Sequence, residues 1–388
     1  MIYLDNAATS FPKPEPVYQA LDSFARTKLA NPGRAGHRMA REAERTIDDA
    51  RLALDRFFHG EGQRRWIFTL NCSDGLNMAI KGTVRPGDHV ITTDLEHNSI
   101  SRPLRALEKA GAITLTRVRS EQGYVDPDAI RSAITPRTRL VAMTHAANAL
   151  GTVQPIEEIG RYVREADALF LVDAAQSAGV VPIHLRATPI DLLAFPGHKA
   201  LYGPTGTGAL YVGPRADVRP WREGGTGGDS KSEVQPEELP YRLEGGTPNA
   251  LGIAGLAAGV AWVAERGVET NRLHEVGLLQ KVVDWVEAQG KSDGWRVAGR
   301  WEPETHVGAL SLITPNLDEF HPQVLADALD TLPTPIAVRS GLHCAPYMHQ
   351  SVGTFPDGTL RLSPGPFNTD ADIDAFLEAL QEITAGVL

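Results

Sequence analysis

A chain of 388 residues has the length of two or three domains, which sets aside a small binding module as the whole of its structure. Its 38 Lys and Arg against 48 Asp and Glu give a net charge of −10, so a polyphosphate groove, and with it nucleic acid, is a poor candidate for the main partner. With 42% hydrophobic and 22% charged residues the composition is that of a soluble globular protein, neither disordered nor fibrous.

In chain order, the opening MIYLDNAATS carries neither a basic region nor an apolar core of the export type, so a cytoplasmic protein is expected. Apolar or β-branched runs then alternate with amphipathic helical patterns. Strands are expected at Trp66–Thr69, His89–Thr93, Ile113–Val118, Leu140–Thr144, Leu169–Asp173, Leu192–Phe195 and Ala209–Val212. Helices are expected from Asp74, around Arg102–Ala110 and near Ile156–Glu165. Strand, helix, strand at this spacing means an α/β unit with a mostly parallel sheet covered on both faces, whose ligands bind beyond the carboxyl ends of the strands. It is placed at residues 15–250.

The longest uncharged apolar stretch, Leu251–Ala264, is too short to span a bilayer and is broken by Gly252, Gly255 and Gly259; it reads as a buried helix. From Ala254 a helical pattern runs to about Gly290, followed by strands near Ala309–Ile313 and Ile336–Arg339, a strand-like Thr359–Leu362 and a closing helix from Asp370. Residues 251–388, with 1–14, form a smaller α+β domain, and Gly224–Gly228 and Gln235–Tyr241 separate the two. No internal repeat or low-complexity run is present.

Chemistry concentrates around Asp191–Lys199, DLLAFPGHK, where a strand ends in a glycine and projects His198 and Lys199 at the ligand-binding edge. An arbitrary lysine is a solvated surface charge. Here the upstream LVDAAQSAG ends another apolar strand at Asp173, with Gln176 close behind. A carboxylate at one strand end beside a lysine amine suits pyridoxal 5'-phosphate, which needs a Schiff-base lysine and an acid that keeps its ring nitrogen protonated. The plainer reading of Asp173 is a helix N-cap.

These motifs, with YLDNAATSFPKP at Tyr3–Pro14 and FNTDADID near the C-terminus, resemble class V aminotransferase-fold pyridoxal-phosphate enzymes, and among them the cysteine desulfurase and selenocysteine lyase family. The resemblance covers nearly the whole chain. It implies fold type I: a large domain with a mostly parallel, seven-stranded-type sheet, a smaller α+β C-terminal domain, and a homodimer with active sites at the subunit interface. By resemblance, His97 in LEHNS stacks on the cofactor ring, Asn148 in THAANALGT lies near the substrate carboxylate and cofactor hydroxyl, and Gln176 bonds that hydroxyl. Thr247 in EGGTPN resembles the residue that reaches the phosphate of the neighbouring subunit. Ser73 and the amides of a helix N-terminus at Cys72-Ser73-Asp74 suit the phosphate, with a further donor from His198. Two departures stand out: Pro196 replaces a Ser or Thr of many relatives, and Asp74 is shorter than their usual acid.

The two cysteines, Cys72 and Cys344, are far apart in sequence, and a reducing compartment keeps both as thiols. The packing reading of a lone cysteine fits Cys72, which precedes a helix laid on the sheet. Cys344 differs, because RSGLHCAP sets it in a glycine-bearing loop flanked by Arg339 and His343, either of which could favour a thiolate. It resembles the family's persulfide-forming cysteine. A metal at His343, Cys344 and His349 lacks a paired Cys-x-x-Cys or a third strong ligand. The glycines of Gly203–Gly208 and Gly224–Gly228 match no nucleotide-binding pattern. Arg361, alone a surface ion pair, is by resemblance the clamp on the substrate carboxylate.

The expected activity is therefore conversion of L-cysteine to L-alanine, with Lys199, Cys344 and His97 as catalytic groups and the sulfur left as a persulfide on Cys344. The alternatives are a selenocysteine lyase acting on L-selenocysteine, an aminotransferase or epimerase on the same cofactor, and a scaffold without turnover. A sulfur-acceptor protein is a further expected partner, and by resemblance the hairpin at Gly224–Ser230 belongs to a region that differs among relatives with dedicated scaffolds.

Overall fold

In the computed structural model, residues 1–33, 36–226 and 231–386 are described; of the hairpin expected at Gly224–Ser230, Gly227, Gly228, Asp229 and Ser230 lie outside the described residues. The chain runs β1 (Ile2–Tyr3), α1 (Glu15–Thr27), α2 (Arg38–Phe57), β2 (Trp66–Thr69), α3 (Cys72–Thr83), β3 (Asp88–Thr93), α4 (Asn98–Lys109), β4 (Ile113–Val118), α5 (Pro127–Ala133), β5 (Thr138–Thr144), α6 (Ile156–Glu165), β6 (Leu169–Asp173), β7 (Leu192–Pro196) and β8 (Gly208–Val212). It continues through α7 (Ala250–Arg266), α8 (Val268–Trp285), β9 (Arg296–Val297), β10 (Leu310–Ile313), α9 (Pro322–Asp330), β11 (Ile336–Ala337), β12 (Arg339–Gly341), α10 (Pro346–Ser351), β13 (Thr359–Leu362) and α11 (Asp370–Thr384).

Seven strands form one sheet in the order β2-β8-β7-β6-β5-β3-β4, with only β8 antiparallel to its neighbours. Strands buried on both faces need an apolar residue at every position, and β6, β7 and β8 are buried throughout. Along β7 the side chains alternate between two cores: Leu193 and Phe195 pack with α2, α6 and α7, and Leu192 and Ala194 with α3 and α4. The mostly parallel seven-stranded sheet expected from the sequence is thus present.

A third core joins Leu4, Leu279, Leu312, Leu329, Leu360 and Phe376 around the four-stranded sheet β12-β13-β10-β9. Two elements differ from expectation. The helical pattern from Ala254 to Gly290 is two helices, α7 and α8, bent by 79° where Gly267 takes a φ of 92°. The expected strand Ile336–Arg339 is divided: β11 pairs in parallel with β1, while β12 pairs with β13. That exchange of partners ties the N-terminal residues to the third core and places Asp5 beside Ser363. Among the described residues no single helix is long and apolar enough to cross a membrane, and the apolar residues of α7 are spent on the core.

Candidate active site

A cavity of about 210 Å³ opens beyond the carboxyl ends of β5, β6 and β7, where Thr144, Asp173 and Pro196 end their strands. The start of α3 closes one side, and Arg339 and Arg361 reach it from the smaller sheet. Lys199, His97, Asn148, Gln176, Ser73 and His198 all line it.

The turn that delivers Lys199 requires a glycine. A Cβ on Gly197 would lie 2.2 Å from Thr207 Oγ1, so the chain leaves β7 only through a residue without a side chain. Among the described residues no hydrogen bond engages Lys199 Nζ. Burial pushes its pKa down to about 8, against the pull of Asp173 toward the charged form. Asp173 is 2% exposed, and its Oδ1 accepts from the Ala175 amide at 2.9 Å and from Cys72 Sγ at 3.4 Å. Oδ2 has no donor among the described residues and is left for a ligand in the cavity. Burial raises the carboxyl pKa, and the Ala175 amide and Lys199 oppose it. The carboxylate closes a turn with Ala175, and no helix begins there for it to cap.

Asn71 caps α3 by accepting from the Asp74 amide at 2.9 Å, which leaves the amides of Cys72 and Ser73 without an acceptor among the described residues. Two free amides at a helix start form an anion site. Ser73 Oγ meets Ser99 Oγ at 2.5 Å, and Ser99 in turn engages His97 Nδ1 through its hydroxyl at 2.8 Å and its amide at 3.1 Å. Because the amide can only donate, Nδ1 is an acceptor and the ring proton sits on Nε2. Burial, with Lys199 and Arg339 nearby, lowers His97 to about 4, so the imidazole is neutral. His198 is also lowered to about 4 by burial and Lys199, and its buried Nδ1 has no hydrogen-bond partner among the described residues.

Arg361 is 1% exposed on β13, far from the surface ion pair its residue type alone suggested. Nη2 donates to Asp5 Oδ1 at 2.7 Å and Nη1 to the Asn148 carbonyl at 3.0 Å, while Nε is buried without a partner among the described residues. Asn148 Nδ2 donates to the His343 carbonyl at 2.6 Å, and Gln176 Nε2 to the Ala7 carbonyl at 3.1 Å.

Cys344 lies in the loop between β12 and α10, half-exposed and beside the cavity lining. His343 and Cys344 both adopt positive φ, 48° and 59°, a strained conformation for residues with a Cβ. The loop is held by Asn148 and by the Asn98 amide, which donates to the Cys344 carbonyl at 2.7 Å. Arg339 Nη2 approaches Sγ at 4.0 Å. His343 does not share that role. Its ring is 2% exposed, bonds Thr359 Oγ1 through Nε2 at 3.1 Å, and is pushed down to about 2 by burial and by Arg361, so it brings no positive charge to the thiol.

Thr247 is exposed and stands apart from this cavity, in a second pocket with Phe68, Gly206 and Asn249. Sequence reasoning missed three contributors: Ser99, Asp5 and the active placement of Cys72. The spacing of Ser99 after His97 at a helix start was the available signal, since that pattern is an N-cap. Cys72, read as packing, is 7% exposed but also donates to Asp173.

The class V aminotransferase family model matches residues 2–376. A probable cysteine desulfurase of Methanothermobacter thermautotrophicus is 36% identical over 98% of this chain and 94% of that protein. One of Pyrococcus abyssi is 34% identical over 99% and 94%. Among solved structures, the apo cysteine desulfurase of Thermococcus onnurineus superposes with a TM-score of 0.90 at 31% identity, covering 99% of this chain and 95% of that one. The Escherichia coli cysteine desulfurase CsdA, in an S-sulfonic acid form, gives 0.87 at 26% over 100% and 95%. Likeness that runs from end to end in both sequence and fold leaves no room for a shared domain alone: the chain belongs to the class V aminotransferase family, within its cysteine desulfurase group.

Proposed function

We propose that this protein is a pyridoxal-phosphate-dependent cysteine desulfurase that converts L-cysteine to L-alanine and takes the sulfur onto Cys344. The observation that carries the reading is the meeting, in one cavity, of a lysine lowered to about 8 with a buried carboxylate that keeps one oxygen free.

The residues present fit the cofactor. Lys199 would hold it covalently, Asp173 Oδ2 would receive its ring nitrogen, His97 would cover the ring, and Gln176 and Asn148 would bond its hydroxyl. Its phosphate would take the free amides of Cys72 and Ser73, the Ser73 hydroxyl and the unpartnered His198 Nδ1, with Thr247 contributed by a second copy in a homodimer. The hydroxyl missing at Pro196 costs one neutral hydrogen bond, about 0.5–1.5 kcal/mol. When bound, pyridoxal phosphate supplies a sink for the electrons released at the substrate Cα.

Arg361 and Asn148 bind the substrate carboxylate, for which a planar guanidinium is suited. Lys199 Nζ, neutral in far more molecules near pH 7 than an ordinary lysine, takes the Cα proton. His97, with its proton on Nε2, donates toward the substrate. Arg339 supports the Cys344 thiolate, which attacks the substrate sulfur. A sulfur–sulfur bond forms as the carbon–sulfur bond breaks, Cβ gains the hydrogen, and the sulfur is oxidised as the carbon is reduced, so no outside reagent enters. An aminotransferase has no use for a thiol and a cation so placed. Both cysteines are free, as the reaction requires, and a cytoplasmic setting keeps them so.

Purified protein supplied with pyridoxal phosphate and L-cysteine should form alanine and, with a thiol reductant, sulfide in equal amounts. Pyruvate or an oxo acid in place of alanine would send the assignment to elimination or transamination.

A further inference from the structure

The N-terminal segment Thr9–Lys13 is not part of the cavity lining, yet its donors converge on the peptide that carries Lys199. The His198 carbonyl accepts from the Ser10 amide at 3.0 Å, from Thr9 Oγ1 at 3.2 Å and from Lys13 Nζ at 2.9 Å. Lys13 Nζ also donates to Ser10 Oγ at 2.8 Å, and the Ser10 hydroxyl proton is shared between the Lys199 carbonyl at 2.8 Å and the His198 carbonyl at 3.1 Å, both on the same turn. The same Lys199 carbonyl accepts from the Tyr202 amide at 2.8 Å. Lys13 is half-buried, and among the described residues its ammonium has no carboxylate partner; its contacts are two neutral oxygens. Such a charge resists burial, and lowering to about 8 is the consequence. A cation held there without a counter-charge needs a reason beyond packing.

Building on the desulfurase reading, we propose that Lys13 is a positioning residue for Lys199: its ammonium, with the Thr9 and Ser10 hydroxyls, clamps the His198–Lys199 peptide and aims the Lys199 amine into the cavity. Charge-assisted bonds to a carbonyl are stronger than neutral ones, so the clamp adds to the backbone bonds that Gly197, Tyr202 and Gly203 make within this turn. The cation also helps keep His198 neutral, since Lys13 stands with Lys199 among the charges that disfavour an imidazolium there.

The test compares wild type with Lys13→Met, which keeps the length and removes charge and donors, and Lys13→Arg, which keeps both. Cofactor-free protein is mixed with pyridoxal phosphate, fixed with borohydride over time, and the label on Lys199 is counted by peptide mapping; alanine release from L-cysteine is measured separately. Lys13→Met should label Lys199 about tenfold more slowly and lose about tenfold in kcat with KM within about twofold, because misplacement of an amine is felt at the reaction and not in binding. Lys13→Arg should recover most of both. Wild-type labelling in Lys13→Met, even with a lowered thermal midpoint, overturns the proposal and leaves Lys13 a folding residue. Should Lys13→Met not fold, Ser10→Ala, which cuts the link to the Lys199 carbonyl, must show the slower labelling, and labelling at the wild-type rate overturns it. If wild type labels at Lys199 but makes no alanine, the desulfurase reading fails while the labelling comparison still decides the clamp.

Discussion

Arg339 and Arg361 are register partners on the antiparallel strands β12 and β13, and both reach the cavity that holds Lys199. Opposed residues share a face, so two like charges meet where they repel. Asp5, brought in by β1, neutralises Arg361 at 2.7 Å, whereas Arg339 has no ion pair among the described residues and turns toward Cys344. In the proposed reaction Arg361 takes the substrate carboxylate and Arg339 supports the Cys344 thiolate.

Replacing Arg361 with Ala separates these roles. A charge-assisted contact of about 1.5–3 kcal/mol is lost, so KM for L-cysteine should rise about tenfold to a hundredfold. Thermal stability should fall as well, because Asp5 and the Asn148 carbonyl lose their donor. Steady-state kinetics on the folded variant checks this, and an unchanged KM sends the carboxylate to another group.

Asp173→Asn should fold and bind cofactor but turn over far more slowly. An amide can receive the Ala175 and Cys72 donors through its oxygen, yet it carries no negative charge to hold a proton on a ring nitrogen. Unchanged turnover would reduce Asp173 to a turn-closing residue. Circular dichroism and cofactor stoichiometry distinguish that outcome from misfolding.

Much of this site is legible in the sequence because it sits where apolar strands stop. Leu169–Asp173 and Leu192–Phe195 read as apolar runs, the second extended to Pro196 in the structure, and their ends face the ligand edge of a parallel sheet. Orientation is another matter. His343 adjoins Cys344 in sequence, but two successive positive φ values send its ring inward to Thr359. The divided strand at Val338 depends on partners at the two ends of the chain, Ile2–Tyr3 and Thr359–Leu362, which no local pattern reveals. The break between α7 and α8 was hidden because one Gly within a helical pattern is common, and only its φ of 92° ends the helix.

The lowered pKa of Lys199 gives a pH dependence with a definite sign. Burial disfavours the ammonium, so in cofactor-free protein the amine becomes reactive as pH rises through about 8, well below the usual lysine range. Cyanoborohydride-driven attachment of pyridoxal phosphate at Lys199 should show its midpoint there. The same shift makes the folded state gain stability on Lys199's account as pH rises from about 8 to the unfolded value of 10.5, and lose it as pH falls from 10.5 to about 8. Because Lys13 is also lowered to about 8, peptide mapping must separate the two labels. A midpoint near 10 at Lys199 would contradict the burial argument.

Cys344→Ala divides the proposed reaction into its two halves. The substituted side chain lies in the loop, outside the cavity lining, so Lys199, Asp173 and Arg361 keep their contacts and the variant should retain its cofactor spectrum and still bind L-cysteine. Sulfur release should almost vanish, because the thiol placed beside Arg339 has been removed. Proton removal at Cα does not require the thiol, so exchange of that hydrogen with deuterated solvent should continue at a rate close to wild type. L-Selenocysteine should behave differently: its carbon–selenium bond is weaker and selenide leaves more readily, so a sizeable activity should remain without a protein nucleophile. Measured on one preparation beside wild type, the three readouts form a pattern that a folding defect cannot imitate, since a misfolded site would lose all of them together. Full sulfur release by Cys344→Ala would defeat the persulfide step and move the chain to an elimination chemistry in which Lys199 acts without Cys344.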